Sequence, residues 1–464
     1  MVTKRGNSTF DKASPLTGEV LATYPLTSRE DAHAVVASSR VVFQSWKKTT
    51  IESRGRLIRK VAQLLEENQD SLAQIVRAET GKPLADSLGE IGGAIEMGYM
   101  LAAHGRFPMG KLLPSAIPLR QARLQRVPLG VAVLIVTYNA PIPNFAWKIF
   151  PALMAGNTVI VKPSPHTPGS AEAFVRVLHE AGIPEDVVRV VHGDGTTAAG
   201  LIEAGAELVS FTGSYPTGVL VMESAAKTLA KTVIELGGSN PLVVFADAAV
   251  EKAARTAKDS AFSNAGQRCA SASRVIVESS VLDQFLVEVR EACVGLLVGT
   301  SDDASIGTLI DGHTAGAFEA YLDECEKAGA HVERLGSLAG SSDATVLPAL
   351  VTGLDPRSDV GSREVFGPVM RVFGFSQEQE AIELANATEF GLTAAVWTSD
   401  IVKAERVVAE IQAGVINING PTHGAEINFP FGGFKHSGNG SRDAGVDAIE
   451  AYSDVQVVSN FFGV

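Results

Sequence analysis

A few residue patterns in this chain are capable of covalent and acid–base chemistry. Cys269 closes the stretch Phe262-Ser263-Asn264-Ala265-Gly266-Gln267-Arg268-Cys269. A solitary cysteine is most often a small buried apolar residue. This one follows a polar, glycine-containing segment, and the adjacent Arg268 is a cation that favours the thiolate, the nucleophilic form. Glu235 ends the apolar run Val233-Ile234-Glu235, ahead of Leu236-Gly237-Gly238. It reads either as a surface carboxylate at a strand end or as a partly buried one whose raised pKa suits a general base. Lys162-Pro163-Ser164 follows the run Thr158–Val161. That lysine is either solvated before a proline turn or set to meet a cofactor hydroxyl or phosphate. Phe211-Thr212-Gly213-Ser214 precedes Pro216, which fits the first turn of a helix. The free amides of such a helix start would receive a pyrophosphate. Each pattern taken singly is weak, because glycine at such turns is common.

The elements that would position these residues follow from apolar spacing. Residues 15–125 read as helices, with Leu57, Val61, Leu64, Leu65, Leu72, Ile75 and Val76 at helical spacing and a stop near Gly81 and Pro83. From residue 131 the pattern changes to short apolar runs: Val131–Val136, Thr158–Val161, Val187–Val191, Leu208–Phe211 and Thr232–Leu236. Helix-length segments such as Pro168–Ala181 and Pro216–Ala230 separate them. This alternation means βαβ units, a parallel sheet buried on both faces, and a ligand at the carboxyl ends of its strands. A second α/β region begins near Pro241. Its strands are expected at Ser273–Val277, Val369–Phe373, Thr393–Trp397 and Val415–Ile418. Its helices are expected at Val281–Cys293, Ala315–Ala328, Glu378–Ala387 and Ile401–Gln412. Pro118–Val127 and Tyr452–Val458 alternate like edge strands and fit neither unit.

Bulk properties narrow the function classes. With 464 residues the chain is too long for one ordinary core. Its net charge of −13 disfavours a phosphate backbone as partner, so nucleic acid is not expected. Three cysteines, Cys269, Cys293 and Cys325, argue against a disulfide framework and for a reducing, cytoplasmic setting. The stretch Met1 to Phe10 is polar and lacks an apolar signal segment. Val127–Trp147 is uncharged, but its prolines and asparagines make it a poor membrane span; a buried strand followed by an irregular loop suits it better. The nine histidines show no metal-ligand spacing, so no metal is expected. There is no Gly-x-Gly-x-x-Gly fingerprint, no P-loop and no nucleophile elbow.

Taken together, these residues resemble the aldehyde dehydrogenase superfamily across nearly the whole chain. The signatures appear in order: Tyr138-Asn139-Ala140-Pro141, Trp147-Lys148, Gly156-Asn157, Lys162-Pro163-Ser164, Phe211-Thr212-Gly213-Ser214, Glu235-Leu236-Gly237-Gly238, Gly266-Gln267-Arg268-Cys269, Glu364-Val365-Phe366-Gly367-Pro368 and Pro430-Phe431-Gly432-Gly433. The resemblance implies two Rossmann-like parallel-sheet domains and a small oligomerisation flap. The NAD(P)-binding domain would take residues 1–109 and 129–237, the catalytic domain 238–436, and the flap and tail 110–128 and 437–464. It implies Cys269 as nucleophile, Glu235 as general base, and the Asn139 amide with the Cys269 backbone N–H as oxyanion donors. Lys162 and Ser164 would lie at the adenosine ribose, and Gly213 and Ser214 at the pyrophosphate. Glu364 would hold the nicotinamide ribose with Phe366 beside it, Leu236 is a further cofactor-binding residue, and Asn419 also falls near the site. The implied reaction oxidises an aldehyde, semialdehydes included, to the carboxylate with NAD or NADP, and the implied assembly is a homodimer or homotetramer.

Three departures bear on specificity. Family members commonly carry glutamate after Lys-Pro-Ser, where this chain has Pro165, which weakens the case for strict NAD⁺ use. Ala140 and Asn144 occupy positions that often hold aromatic substrate-box residues, so a roomier, more polar pocket is expected; Trp147 is retained. Thr422-His423-Gly424-Ala425-Glu426 is locally similar to members acting on amino-semialdehydes. Two rival readings are a CoA-acylating semialdehyde dehydrogenase, which typically lacks the glutamate base, and a non-catalytic binding or structural protein, which would have lost Cys269, Glu235 or Asn139. All three residues are present.

Overall fold

The structure is a computed structural model that describes residues 2–5, 9–107, 109–445 and 447–462. The two outermost residues of the expected tail, 463 and 464, lie outside the described part, as do parts of the polar N-terminal stretch.

The N-terminal third departs from the all-helical expectation. Val2–Arg5, Thr9–Ala13 and Val20–Pro25 form a three-stranded antiparallel sheet. Only Tyr24 of the last strand is buried, so the strand buries too little to leave an apolar signal. Four helices follow: Arg29–Trp46, Ile51–Glu67, Gln69–Thr80 and Leu84–His104. Ser28 and Thr50 cap the first two by accepting from Asp31 N and Ser53 N. The periodic stretch 57–76 is two helices rather than one. Asn68 breaks it, its side-chain amide donating to the Leu64 carbonyl at 2.8 Å. The stop at Gly81 is as expected, with φ +76° in the left-handed region.

All five predicted strands of the first α/β region form. They run Val131–Ile135, Thr158–Lys162, Val188–Val190, Leu208–Thr212 and Lys231–Glu235. In space the order is 231–235, 208–212, 131–135, 158–162, 188–190, all parallel. The chain order reverses between 208–212 and 131–135, so a crevice opens at the carboxyl ends of these two strands. Every residue of 131–135, 158–162 and 208–212 is buried, as a sheet covered on both faces requires. The loop expected after Val131–Val136 is short. A helix starts at Pro141, with proline in its first turn, and runs to Ala155.

The second sheet has seven strands in the order 331–334, 349–352, 369–375, 274–278, 241–244, 393–397, 415–418. All neighbours are parallel except 331–334 against 349–352. Three of these strands, Pro241–Val244, His331–Arg334 and Ala349–Thr352, and the helix Val250–Phe262 were absent from the sequence reading. Each of these strands has four residues, too few to show a period. The two orphan segments find each other: Arg120–Pro128 pairs antiparallel with Ser453–Phe461 along nine residues, and Lys111–Leu113 lies on its other edge. No helix among the described residues is long and apolar enough to cross a membrane.

Candidate active site

A cavity of about 660 Å³ opens between the carboxyl ends of the first sheet and the loops that lead into strands Arg274–Glu278 and Val369–Phe375 of the second. Eight of the ten predicted site residues line it: Cys269, Glu235, Asn139, Gly213, Ser214, Leu236, Glu364 and Phe366. Lys162 and Ser164 do not. They sit one strand further along the first sheet, where the Lys162 ammonium donates to the carbonyls of Pro163 and Gly193, both at 2.8 Å. Burial lowers its pKa to about 8, partly offset by the nearby Asp194 carboxylate. Asn419 does not line the cavity either. Its amide closes the turn after strand Val415–Ile418 by pairing with the Thr398 backbone at 3.0 Å in both directions.

Glu235 is the last residue of its strand, and the strand register fixes its position. It is 4% exposed, and neither carboxylate oxygen has a hydrogen-bond partner. Burial pushes its pKa well above the usual carboxylate value, and the Asp443 and Glu364 carboxylates push the same way, while Lys148 opposes them. Lys148 and Asp443 form a fully buried ion pair at 2.5 Å, and Lys148 also donates to Ser210 Oγ at 2.9 Å. Tyr452 closes this network through its hydroxyl, 2.9 Å from Ser210 Oγ. The sequence reading noted Lys148 only as part of a motif and missed Asp443. No local signal joins residues 295 positions apart.

Cys269 is held differently. Its loop passes through Asn264, Ala265 and Gly266 with φ of 54°, 51° and 69°. Two consecutive non-glycine residues in the left-handed region are strained and persist only where surrounding contacts enforce them. A Cβ on Gly266 would lie 2.1 Å from the Gly367 carbonyl oxygen, so the loop packs directly on the Glu364–Pro368 segment. Asn240, 1% exposed, donates to the carbonyls of Cys269 at 2.7 Å and Ser271 at 2.9 Å and accepts from Thr393 N at 3.0 Å. Asn264 donates to the Asn139 carbonyl at 3.0 Å, tying the Cys269 loop to Asn139. Lys82, paired with Glu90, donates to that same carbonyl at 2.7 Å. Asn240 and Lys82 are functional supports that sequence reasoning missed.

The expectation that Arg268 favours the thiolate holds in direction but not in net effect. Burial raises the Cys269 pKa well above its usual value, the Glu235 and Glu364 carboxylates add to the rise, and the Ala270 N–H and Arg268 oppose it more weakly. Arg268 favours the thiolate, but desolvation and the two carboxylates outweigh that one cation.

The other end of the cavity has the features of a dinucleotide cradle. Ser214 is the N-cap of helix Tyr215–Ala226, yet its hydroxyl goes to Thr217 Oγ1 at 3.0 Å and leaves the first amides without a side-chain cap. Thr212 Oγ1 is buried without a partner. Glu364 accepts from Gly238 N at 3.0 Å, and burial raises its pKa to about 7. A Cβ on Gly237 would fall 2.0 Å from the Glu364 carboxylate, so only glycine allows that approach. Arg371 sets the preceding segment by donating to the carbonyls of Val360 at 3.1 Å and Arg363 at 3.0 Å. Phe366 meets Tyr138 edge-on at 6.0 Å between ring centres. An uncapped helix start, an orphaned hydroxyl and a buried carboxylate suit a pyrophosphate and a ribose.

On the substrate side, Trp147 and Phe431 form a wall, their ring centres 5.7 Å apart. Ala140 and Asn144 also face the cavity, so small and polar residues stand where the resemblance would put aromatic ones.

Comparisons with known proteins agree with this geometry. Residues 1–458 match the model of the aldehyde dehydrogenase family. The chain is 34% identical to an α-ketoglutarate semialdehyde dehydrogenase of Haloferax volcanii, covering 96% of this chain and 95% of that protein. It is 34% identical to a 3-sulfolactaldehyde dehydrogenase of Pseudomonas putida, covering 98% and 94%. A crystal structure of betaine aldehyde dehydrogenase from Staphylococcus aureus in complex with NAD⁺ superposes with a TM-score of 0.94 at 31% identity, over 100% of this chain and 93% of that one. The chain belongs to the aldehyde dehydrogenase family, and its reaction is the NAD(P)-dependent oxidation of an aldehyde.

Proposed function

We propose that the aldehyde becomes a carboxylate through a thioester on Cys269, which water deprotonated by Glu235 then hydrolyses. The observation that carries this reading is the pairing of Cys269 and Glu235 on one cavity, the glutamate with both oxygens buried and unpartnered. An unpartnered buried carboxylate is costly unless a transient partner uses it, and its raised pKa suits proton abstraction near neutral pH. Cys269 gives its thiol proton to water as Sγ attacks the carbonyl carbon, and the Asn139 side-chain amide and the Cys269 N–H receive the oxyanion. The bound cofactor supplies the hydride acceptor. Gly213 and Ser214 hold its pyrophosphate, Glu364 its nicotinamide-side ribose, Leu236 and Phe366 border the nicotinamide, and Lys162 with Ser164 serves the adenosine ribose. Glu235 then takes a proton from water, and the hydroxide opens the thioester. The presence of Glu235 favours water over CoA as acyl acceptor.

The assignment is tested by quenching Glu235→Gln protein with acid during turnover. An acyl adduct on the Cys269 peptide is expected by mass spectrometry, and its absence with every aldehyde oxidised rejects the thioester.

The assembly proposed is a homodimer or homotetramer in the cytoplasm. The strand Ser453–Phe461 has an open edge, and Val455, Val457 and Phe461 on it are exposed. An open, partly apolar edge is a liability unless another chain covers it. A monomer by light scattering at micromolar concentration contradicts the assembly.

A further inference from the structure

We infer that Arg268 and His423 form a subsite for a carboxylate on the substrate, so that the aldehyde oxidised is a short-chain oxo-acid. This rests on Cys269 being the nucleophile.

Arg268 faces the cavity, and among the described residues no carboxylate approaches it within 4.0 Å; its Nε is buried without a hydrogen-bond partner. A guanidinium left unpaired beside a catalytic sulfur is expensive. Its fork geometry matches a carboxylate. His423 lines the same cavity, and its Nδ1 is also buried and unpartnered. Thr422 donates to the Ala270 carbonyl at 2.6 Å, which fastens the His423 loop to the nucleophile loop. Burial, with Arg268 nearby, lowers the His423 pKa to about 4, so the imidazole is neutral and offers one N–H without adding charge. Each residue thus brings an unpartnered buried nitrogen to the same cavity, and the two lie close enough for Arg268 to lower the His423 pKa.

Asp86 and Glu90 on helix Leu84–His104 line the cavity too and argue for a cationic tail instead. Glu90 is already neutralised by ion-pair contact with Lys82, whose ammonium is buried. Asp86 lies in the helix's first turn, where the dipole stabilises a carboxylate. Arg268 feels the Glu90 charge at longer range but, among the described residues, makes no ion pair with it.

The test uses 4-oxobutanoate, butanal and 4-aminobutanal with wild type, Arg268→Gln and Arg268→Lys. Wild type should prefer 4-oxobutanoate. Its kcat/KM ratio over butanal should fall at least 30-fold in Arg268→Gln, mainly through KM, and recover in part in Arg268→Lys. A wild-type preference for butanal or 4-aminobutanal, or an unchanged ratio in Arg268→Gln, overturns the subsite. A second readout needs no turnover. Iodoacetate should alkylate Cys269 faster than iodoacetamide does, relative to free cysteine, and the advantage should vanish in Arg268→Gln. No charge preference in wild type also overturns the subsite, even if the variant does not fold. Loss of every aldehyde activity with the alkylation preference intact would instead count against the thioester reading.

Discussion

Glu235 and Cys269 face the same cavity on supports of opposite kinds. Glu235 is the last residue of a regular strand whose neighbours on the sheet fix it residue by residue. Cys269 rides a turn of left-handed residues that keeps its shape only through Asn240, Asn264 and the packing of Gly266 on Gly367. The difference fits the two tasks. A base that must stay desolvated benefits from a buried strand end. A nucleophile must present its sulfur to substrate, and a loop can aim it as no regular strand would. The cost is that the loop's geometry depends on side chains far away in sequence.

The largest effect tests whether the loop holds the nucleophile at all. Cys269→Ala should abolish aldehyde-dependent NAD(P)H formation, a loss on the order of 10⁴-fold or more, while circular dichroism stays native. Cys293 and Cys325, buried on or beside helices, should be replaceable by alanine with activity kept. Substantial turnover by Cys269→Ala breaks the comparison at its root.

Glu235→Gln probes the strand side and should cut steady-state turnover by roughly 10²–10⁴-fold, because an amide cannot take a proton from water. A burst of reduced cofactor should precede the slow phase. Two further readouts follow from charge. Removing a carboxylate that raises the Cys269 pKa should lower that pKa, so pH-dependent alkylation shifts to lower pH. Burial also raises the Glu235 pKa above 4.5 in the folded chain. The folded state then holds a proton the unfolded state has released, so stability falls as pH rises from about 4.5 through the folded pKa and stays reduced above it. Glutamine escapes that loss, and the Tm at pH 8 should rise by roughly 1–3 °C. A lower Tm would mean the carboxylate is structural.

Asn240→Ala separates the two supports. It deletes both donations to the nucleophile loop and strands the Cys269 and Ser271 carbonyls. Activity should fall about 10–100-fold through misplacement of the sulfur, and stability by about 1–3 kcal/mol. Alkylation of Cys269 should become less sensitive to cofactor. If activity stays near wild type, the loop is self-supporting and the contrast with Glu235 fails.

The contrast also explains what the sequence could reveal. Three of the five strands of the first sheet are buried throughout, so their apolar runs locate the sheet and, with it, Glu235, Gly213 and the helix start beside Pro216. Cys269 was recognisable only through an ordered set of motifs, because nothing local marks a loop as catalytic. Arg268 does favour the Cys269 thiolate, as its charge implies, but burial and two carboxylates outweigh it, and desolvation is invisible in a string of letters. Asn240, Lys82 and Asp443 act across long sequence separations and left no period. The strand Val20–Pro25 was misread as helix because it buries little, and the pairing of Arg120–Pro128 with Ser453–Phe461 joins segments more than 300 positions apart.

The smallest effect concerns the far end of the first sheet, where Lys162 and Pro165 lie beyond the cavity. A carboxylate beside the adenosine ribose repels a 2′-phosphate, and at ~4 Å a like-charge contact near a surface costs on the order of several kcal/mol before screening. Pro165 puts no carboxylate there, and Lys162 supplies a cation. Asp194 does bring a negative charge near Lys162, but one of its oxygens accepts from Thr196 N at 2.9 Å, in the cap of helix Gly195–Glu203. NADP⁺ should therefore be accepted, with a preference within about a hundredfold of NAD⁺ either way. Pro165→Glu should move selectivity toward NAD⁺ by roughly three- to tenfold, through a higher KM for NADP⁺ and with kcat nearly unchanged, because the existing Asp194 charge leaves less discrimination to add. The measurement is kcat/KM for both cofactors at fixed aldehyde and at two salt concentrations, since screening should shrink the shift at high salt. A wild-type enzyme with no detectable rate at saturating NADP⁺ would show that Asp194 alone, at the strand end, already sets the cofactor.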